Sequence, residues 1–254
     1  LVNFENVKKI IVDINPNIII HLAYSKNRVE QNSILDQNYN LNLHISSNII
    51  KISRLLKSLE KFIFFGSCDE YGIQKNPYEE DLLEQPLTSY GLSKLSITKV
   101  LKALHYTENF PSLIIRPSVV YGAGQETDMF LPALANAVKN QRPFNMTLGE
   151  QYRDYIYIED LTDAIIMLLK SKNLKLGEII NITYGKSFKI KDIAIKFANF
   201  IKVDGESILK IGNIDYRDTE VMNYHTSNQK IKDLLEWYPK TSLNIGLKKL
   251  ASSF

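Results

Sequence analysis

Phe62-Ile63-Phe64-Phe65-Gly66-Ser67-Cys68-Asp69-Glu70-Tyr71-Gly72 decides how the rest of the chain is read. Four apolar residues stop at a glycine, the pattern of a short strand buried in a parallel sheet. Ser67 then falls at the carboxyl end of that strand, where open α/β sheets place their ligands. Beyond a polar loop comes Ser89-Tyr90-Gly91-Leu92-Ser93-Lys94. A helix beginning near Ser89 brings Tyr90 and Lys94 to one face, because residues four apart are neighbours on a helix. These three side chains suit proton transfer. A free phenol has a pKa of about 10 and is a poor acid or base at neutral pH. A cation held nearby favours the phenolate and lowers that value. Lys94 can supply the cation, and Ser67 can hydrogen-bond the reacting oxygen. An isolated Tyr-x-x-x-Lys pair also arises by chance on exposed helix faces, so the strand before it carries the weight.

Outward from this stretch, strands and helices alternate. Val7, Ile10, Ile11 and Ile14 recur at helical spacing, and Pro16 ends that helix. Residues 17–24 read as a buried strand. Residues 36–59 read as a long helix with Leu43, Ile45, Ile49, Ile52 and Leu56 on its apolar positions. Tyr90 opens a helix reaching Tyr106, and 111–116 form the next strand. Further helices are predicted at 129–139, 160–169, 190–201 and 230–237, with a last sheet strand at 178–183. The alternation predicts an α/β fold built on a doubly wound parallel sheet.

With 254 residues, 44% of them hydrophobic, the chain can bury a sizeable core. Its net charge of +3 is too small, and its lysines too scattered, to indicate nucleic-acid binding. The single cysteine, Cys68, excludes an internal disulfide and fits a reducing compartment, hence a cytoplasmic location. No apolar run approaches the ~20 residues of a membrane span, and no histidine or cysteine spacing suggests a metal site. No G-x-G-x-x-G is found; Gly122 and Gly124 are the only close glycine pair.

Three motifs in order, Ser67-Cys68-Asp69-Glu70-Tyr71-Gly72, Tyr90-Gly91-Leu92-Ser93-Lys94 and Arg116-Pro117-Ser118-Val119-Val120-Tyr121-Gly122, resemble the extended short-chain dehydrogenase/reductase family. That family includes the nucleotide-sugar epimerases, dehydratases and ketoreductases. The resemblance covers nearly the whole chain and implies a partial Rossmann-type domain lacking its glycine-rich amino-terminal segment. Residues 1–120 and 151–185 would form this dinucleotide-binding part. Residues 121–150 and 186–254 would form a small α/β substrate-binding lobe. The Asn17–Leu22 strand, apolar on both faces, would then be an unprotected sheet edge.

By resemblance, Ser67, Tyr90 and Lys94 are the catalytic triad. The cofactor, NAD or NADP, would lie against Leu22, Ala23, Asn42, Lys94 and Arg116. Asn42 would help order the active-site helix, or is a surface residue in an Asn-rich chain. Val119, Arg153 and Arg217 would meet the substrate, the two arginines holding the diphosphate of a nucleotide sugar through charge-assisted hydrogen bonds; the alternative for each arginine is a surface ion pair. Lys26 to Leu35 would be an ordered loop near the sugar. Asp69 stands where the dehydratase branch carries an acid, as a possible acid/base. His21 and Cys68 read as packing residues near the site, and Glu79, Glu80 and Asp81 as solvated surface.

The implied function is NAD(P)-dependent redox chemistry at C4 of a nucleotide-linked sugar, by a 4-epimerase or 4-ketoreductase, in surface polysaccharide or deoxysugar biosynthesis. A 4,6-dehydratase remains open, as does a non-catalytic fragment or interaction subunit. The resemblance implies a homodimer for the full-length protein, with neither nucleic acid nor membrane as partner.

Overall fold

Strand β2 (Lys61–Phe65) organises the first half of the computed structural model, which describes residues 1–25, 37–172 and 174–254. Phe62, Ile63 and Phe64 are at most 1% exposed. Each such side chain contributes about 1.5–3 kcal/mol through burial, so the strand is driven inside on both faces. It pairs in parallel with β1 (Ile18–His21) on one side and β3 (Ser112–Pro117) on the other. With β7 (Ile179–Ile182) the order is β1-β2-β3-β7. The predicted strands at 17–24, 62–65, 111–116 and 178–183 thus form one sheet.

Three helices flank it. α1 (Phe4–Ile14) starts where the Asn3 side chain accepts the Asn6 N–H, and ends at Asn15 in the left-handed conformation, φ 46°. α2 (Gln37–Ser53) stops earlier than the apolar pattern implied, because Leu55 and Leu56 turn back onto Ile52 and Ser53 carbonyls. Its expected start at Asp36, and the Lys26–Leu35 loop, lie outside the described residues. α3 (Ser89–Glu108) begins at Thr88, whose hydroxyl accepts the Gly91 N–H at 3.0 Å. Val7, Ile49, Ile52, Phe62, Phe64, Ile97, Leu101 and Ile114 form one core between helices and sheet. β1 is an edge of this sheet among the described residues, and Ile18 and Ile20 on it and Leu22 just beyond it are exposed.

The chain divides into two compact units, residues 1–74, 79–117 and 169–181 against 75–78, 118–168 and 182–254. Residues 151–168, assigned from sequence to the first part, belong to the second. The cause is β6 (Tyr152–Tyr157), a strand the periodicity did not show. It pairs in parallel with β4 (Val119–Tyr121) and antiparallel with β8 (Ser187–Lys189), building a separate three-stranded sheet. β5 (Phe144–Met146) pairs in parallel with β9 (Leu209–Ile211).

Helices α4 (Phe130–Lys139), α5 (Ile158–Lys170), α6 (Ile190–Ile201), α7 (Gln229–Leu235) and α8 (Leu243–Ala251) complete the chain. Tyr121, Leu134, Ala135, Tyr155, Ile193, Phe197 and Leu247 lie in a second core distinct from the first. None of the helices among the described residues is long and apolar enough to cross a membrane.

Candidate active site

β2 delivers the chain to Gly66 and Ser67, and the backbone then tightens into a single 3-10 turn, Cys68–Glu70. The turn forms because Ser67 and Glu70 cap each other. The Ser67 hydroxyl accepts the Asp69 N–H at 3.1 Å, and the Glu70 carboxylate accepts the Ser67 N–H at 2.9 Å. This reciprocal arrangement satisfies two otherwise unpaired donors. Ser67 is thereby fixed at the carboxyl end of the strand.

Helix α3 meets this turn at Gly91. A Cβ there would lie 2.6 Å from the Asp69 carbonyl oxygen, so only glycine lets the first helical turn approach so closely. The approach sets Tyr90 beside the Ser67 turn, where Asp69 and the Ser67 hydroxyl both act on its phenol. One turn further along, Lys94 is 6% exposed and donates to the Phe65 carbonyl at 2.7 Å. Its ammonium sits among three rings, 5.0 Å from the centre of Tyr24, 5.1 Å from Phe64 and 5.8 Å from Tyr90. Tyr24 meets Tyr90 edge-on at 4.9 Å. Ser67, Tyr90 and Lys94 therefore come together at the end of β2.

The electrostatics differ from the expectation in one respect. Lys94 was to lower the Tyr90 pKa. Instead burial, and after it the Asp69 carboxylate, push the phenol above its ordinary value, against the Ser67 hydrogen bond. The Lys94 ammonium donates to the Phe65 carbonyl. Burial also brings Lys94 down to about 8, while Glu70 pulls the other way. His21 is buried and pushed down to about 4 by desolvation, then by Lys94. It is a neutral ring, 2.9 Å from the Ser46 hydroxyl and packed on Phe62 and Phe64.

The remaining assigned residues divide sharply. Leu22 is exposed and Ala23 half-buried, just past the end of β1. Asn42 is buried and holds the Ser25 backbone with both amide atoms, accepting its N–H at 2.7 Å and donating to its carbonyl at 3.1 Å. It holds the end of the 22–25 segment, whose Tyr24 packs edge-on against Tyr90 of α3. Arg116 corrects the cofactor assignment. It has no exposed surface, donates to Glu70 at 3.0 and 2.6 Å and to Glu84 at 2.8 Å, and lies over the Tyr71 ring at 4.5 Å. Burial pulls this guanidinium down, but Glu70, Tyr71 and Glu84 together hold it above its ordinary value. It is enclosed by protein and offers no exposed surface to a cofactor. Cys68 is buried and donates its thiol to the Arg116 carbonyl at 3.3 Å. Asp69 is exposed. Glu80, expected as solvated surface, accepts the Asn181 N–H at 2.8 Å.

In the second unit, Val119 is half-buried on β4. Arg153 donates to the carbonyls of Tyr152 and Val221 and pairs with Glu220, and its guanidinium lies over Tyr224 at 5.8 Å. It thus clamps the 220–221 segment, just beyond Arg217. Arg217 itself is exposed.

Glu70 and Glu84 were not assigned a role from sequence. A signal existed: an arginine in the apolar strand Leu113-Ile114-Ile115-Arg116 must be buried, and a buried cation requires a carboxylate. Among the described residues, no cluster of histidine, cysteine and acidic side chains could hold a metal ion.

Residues 1–183 match the model of the NAD dependent epimerase/dehydratase family. CDP-abequose synthase of Salmonella muenchen is 27% identical over 98% of this chain and 81% of its own length. The dTDP-4-dehydro-6-deoxyglucose reductase of Escherichia coli is 30% identical over 94% of this chain and 75% of its own. The crystal structure of UDP-glucuronic acid 4-epimerase from Bacillus cereus, in complex with UDP-glucuronic acid and NAD, superposes with a TM-score of 0.88 at 28% identity. The match covers 99% of this chain and 79% of that one.

Proposed function

The chain belongs to the NAD dependent epimerase/dehydratase family, and on that premise we propose that it carries out NAD(P)-dependent redox chemistry at C4 of a nucleotide-linked sugar. The observation that carries the reading is the packing of the first turn of α3 against the Ser67 turn through Gly91, with the Lys94 ammonium 5.8 Å from the Tyr90 ring and bonded to the Phe65 carbonyl at the end of β2. The residues fit a nicotinamide cofactor. An ammonium has three donors, and the Phe65 carbonyl takes one of those of Lys94. Lys94 and the 22–23 backbone beyond β1 would hold the cofactor's ribose. When bound, the cofactor supplies or accepts the hydride.

Tyr90 exchanges a proton with the C4 oxygen, and Ser67 orients that oxygen by hydrogen bonding. A phenol held above its ordinary value is in its protonated form at neutral pH, the form from which a 4-keto oxygen would take its proton. The 30% identity to dTDP-4-dehydro-6-deoxyglucose reductase favours reduction of a 4-keto sugar as the reaction. Arg217, exposed on the second unit, is the cation offered to the diphosphate, and Arg153 fixes the segment that carries it. Elimination of water, as in a 4,6-dehydratase, would rest on Asp69.

Isothermal titration with UDP-, dTDP-, CDP- and GDP-linked sugars tests the substrate class. Arg217→Ala is expected to weaken binding roughly 10- to 100-fold, on the scale of one charge-assisted contact worth ~1.5–3 kcal/mol. Binding of none of them, or undiminished binding by Arg217→Ala, overturns it. Product analysis by NMR then separates a C4 alcohol from a dehydrated sugar.

A further inference from the structure

We propose that Glu84 and Arg116 are positioning residues that set the geometry of the Ser67–Tyr90 pair. The inference rests on the reading of those two as the proton-transfer groups. A continuous chain of charged contacts runs beneath them, wholly within the first unit. The Ser67 N–H donates to one oxygen of Glu70 at 2.9 Å. The other Glu70 oxygen accepts Nε and Nη2 of Arg116 at 3.0 and 2.6 Å. The same Nη2 donates to Glu84 at 2.8 Å, and the second Glu84 oxygen accepts the Lys99 ammonium of α3 at 2.7 Å. The turn bearing Ser67, strand β3, the loop before α3 and α3 itself are thus joined by one path.

Its placement explains why this path bears on catalysis. Glu84 lies four residues before Thr88, the cap of α3, and Tyr90 follows two residues later. The Gln85 N–H is bonded to the Tyr71 carbonyl at 3.2 Å, so the loop is pinned against the residue that ends the Ser67 turn. Tyr71 in turn packs its ring on Arg116 and donates its hydroxyl to Asn181 at 2.8 Å. At Gly66 a Cβ would fall 2.4 Å from a Glu70 oxygen, so the backbone has no side chain where that carboxylate is seated. The start of α3 is therefore located relative to Ser67 by charge pairs as well as by the Gly91 contact.

Charge explains the second carboxylate. Glu70 alone neutralises Arg116, and the side chains of both are 0% exposed. Glu84, 5% exposed, adds a further negative charge that Lys99, 56% exposed, balances from the surface. Burial raises the Glu84 pKa, but the Lys99 and Arg116 hydrogen bonds more than offset this and keep it below the ordinary value. Removing the Glu84 charge leaves the Glu70–Arg116 pair intact, so the fold should survive. What is lost is the tie between that pair and α3.

The test uses Glu84→Gln in the full chain, with Glu108→Gln, which breaks the surface pair with Arg54, as control. Protein carrying ring-labelled 13Cζ tyrosine gives one NMR line per tyrosine, and the Tyr90 line is identified by its loss in Tyr90→Phe. The Tyr90 line is expected to move in Glu84→Gln and to stay in Glu108→Gln. With a nucleotide sugar that turns over, kcat should fall roughly 10- to 100-fold, the scale of a slight misplacement of reacting groups, with KM changed by less than about twofold. Glu84→Asp, which keeps the charge, should restore part of the loss. An unmoved Tyr90 line in folded Glu84→Gln overturns the proposal, and so does a loss residing in KM. If Glu84→Gln does not fold, Lys99→Gln severs the α3 arm alone, and an unmoved Tyr90 line there is equally decisive. The NMR readout needs no substrate, so a wrong substrate class and a wrong positioning role give different results.

Discussion

Each unit of this protein buries a carboxylate completely, Glu70 in one and Asp154 in the other, and the two solve the same problem in opposite ways. Glu70 in the first unit faces a guanidinium, accepting two hydrogen bonds from Arg116. Asp154 in the second, equally buried, pairs with no cation among the described residues. It accepts the Ser118 hydroxyl at 2.7 Å and the backbone N–H groups of Tyr184, Gly185 and Lys186 at 2.9, 2.7 and 3.1 Å. A buried charge is costly unless compensated, and either a counter-ion or converging dipoles can do it. The difference is in what each can tolerate. A charge pair leaves an unmatched ion when one member goes. A dipole cage holds a group that can still take up a proton, and burial pushes Asp154 up to about 6 against its four hydrogen bonds.

The largest expected effect follows from removing the cation. Arg116→Met should destabilise the protein by about 3–5 kcal/mol in urea unfolding, because Glu70 is left buried and unpaired. Adding Glu70→Gln to that variant should recover part of the loss, since an amide is cheaper to bury than an uncompensated carboxylate. If the double variant is no more stable than Arg116→Met, the pair does not work as a charge pair and the comparison fails.

The dipole cage makes a prediction about pH. Asp154 has a folded pKa of about 6 against an ordinary 3.8, so the folded state binds more protons between those values. Stability from this group is therefore fully present below about pH 4 and is lost as pH rises through 6. The change is at most about 3 kcal/mol, at ~1.36 kcal/mol per pKa unit. Unfolding free energies measured from pH 4 to 7, relative to Asp154→Asn, should fall along that slope. A flat difference would mean that the four donors hold Asp154 charged throughout, and would bring the two carboxylates closer in kind. The smallest effect belongs to the exposed Arg54–Glu108 pair, 2.7 Å apart with both side chains about two-fifths exposed. Arg54→Ala should cost no more than about 1 kcal/mol in the same urea experiment. A larger loss would show that burial is not what separates these pairs.

Much of the fold could be read directly because its signals are local. The apolar run ending at Gly66, the helical spacing after Ser89 and the Pro16 stop each express a preference of a few neighbouring residues. β6 escaped because its tyrosines and charges, Tyr152-Arg153-Asp154-Tyr155, carry no clear alternation. It is a strand because β4 and β8 pair with it. Arg116 was misassigned for a related reason. Its place after an apolar strand is the same whether the guanidinium points at a ligand or at two carboxylates distant in sequence. Only the path of the chain between residues 70 and 84 chose the second.

The sequence by itself determined that a serine at a strand end and a Tyr-x-x-x-Lys face could act together, since strand termini and the helical repeat are geometric properties of short segments. Tertiary structure decided how those groups behave. Gly91 admits α3 against the Asp69 carbonyl, and the resulting burial holds the Tyr90 phenol protonated although a lysine lies near it. A pKa sums desolvation and the charges and dipoles around a group. Those surroundings come from β2, α3 and the turn between them, and exist only once these elements have packed.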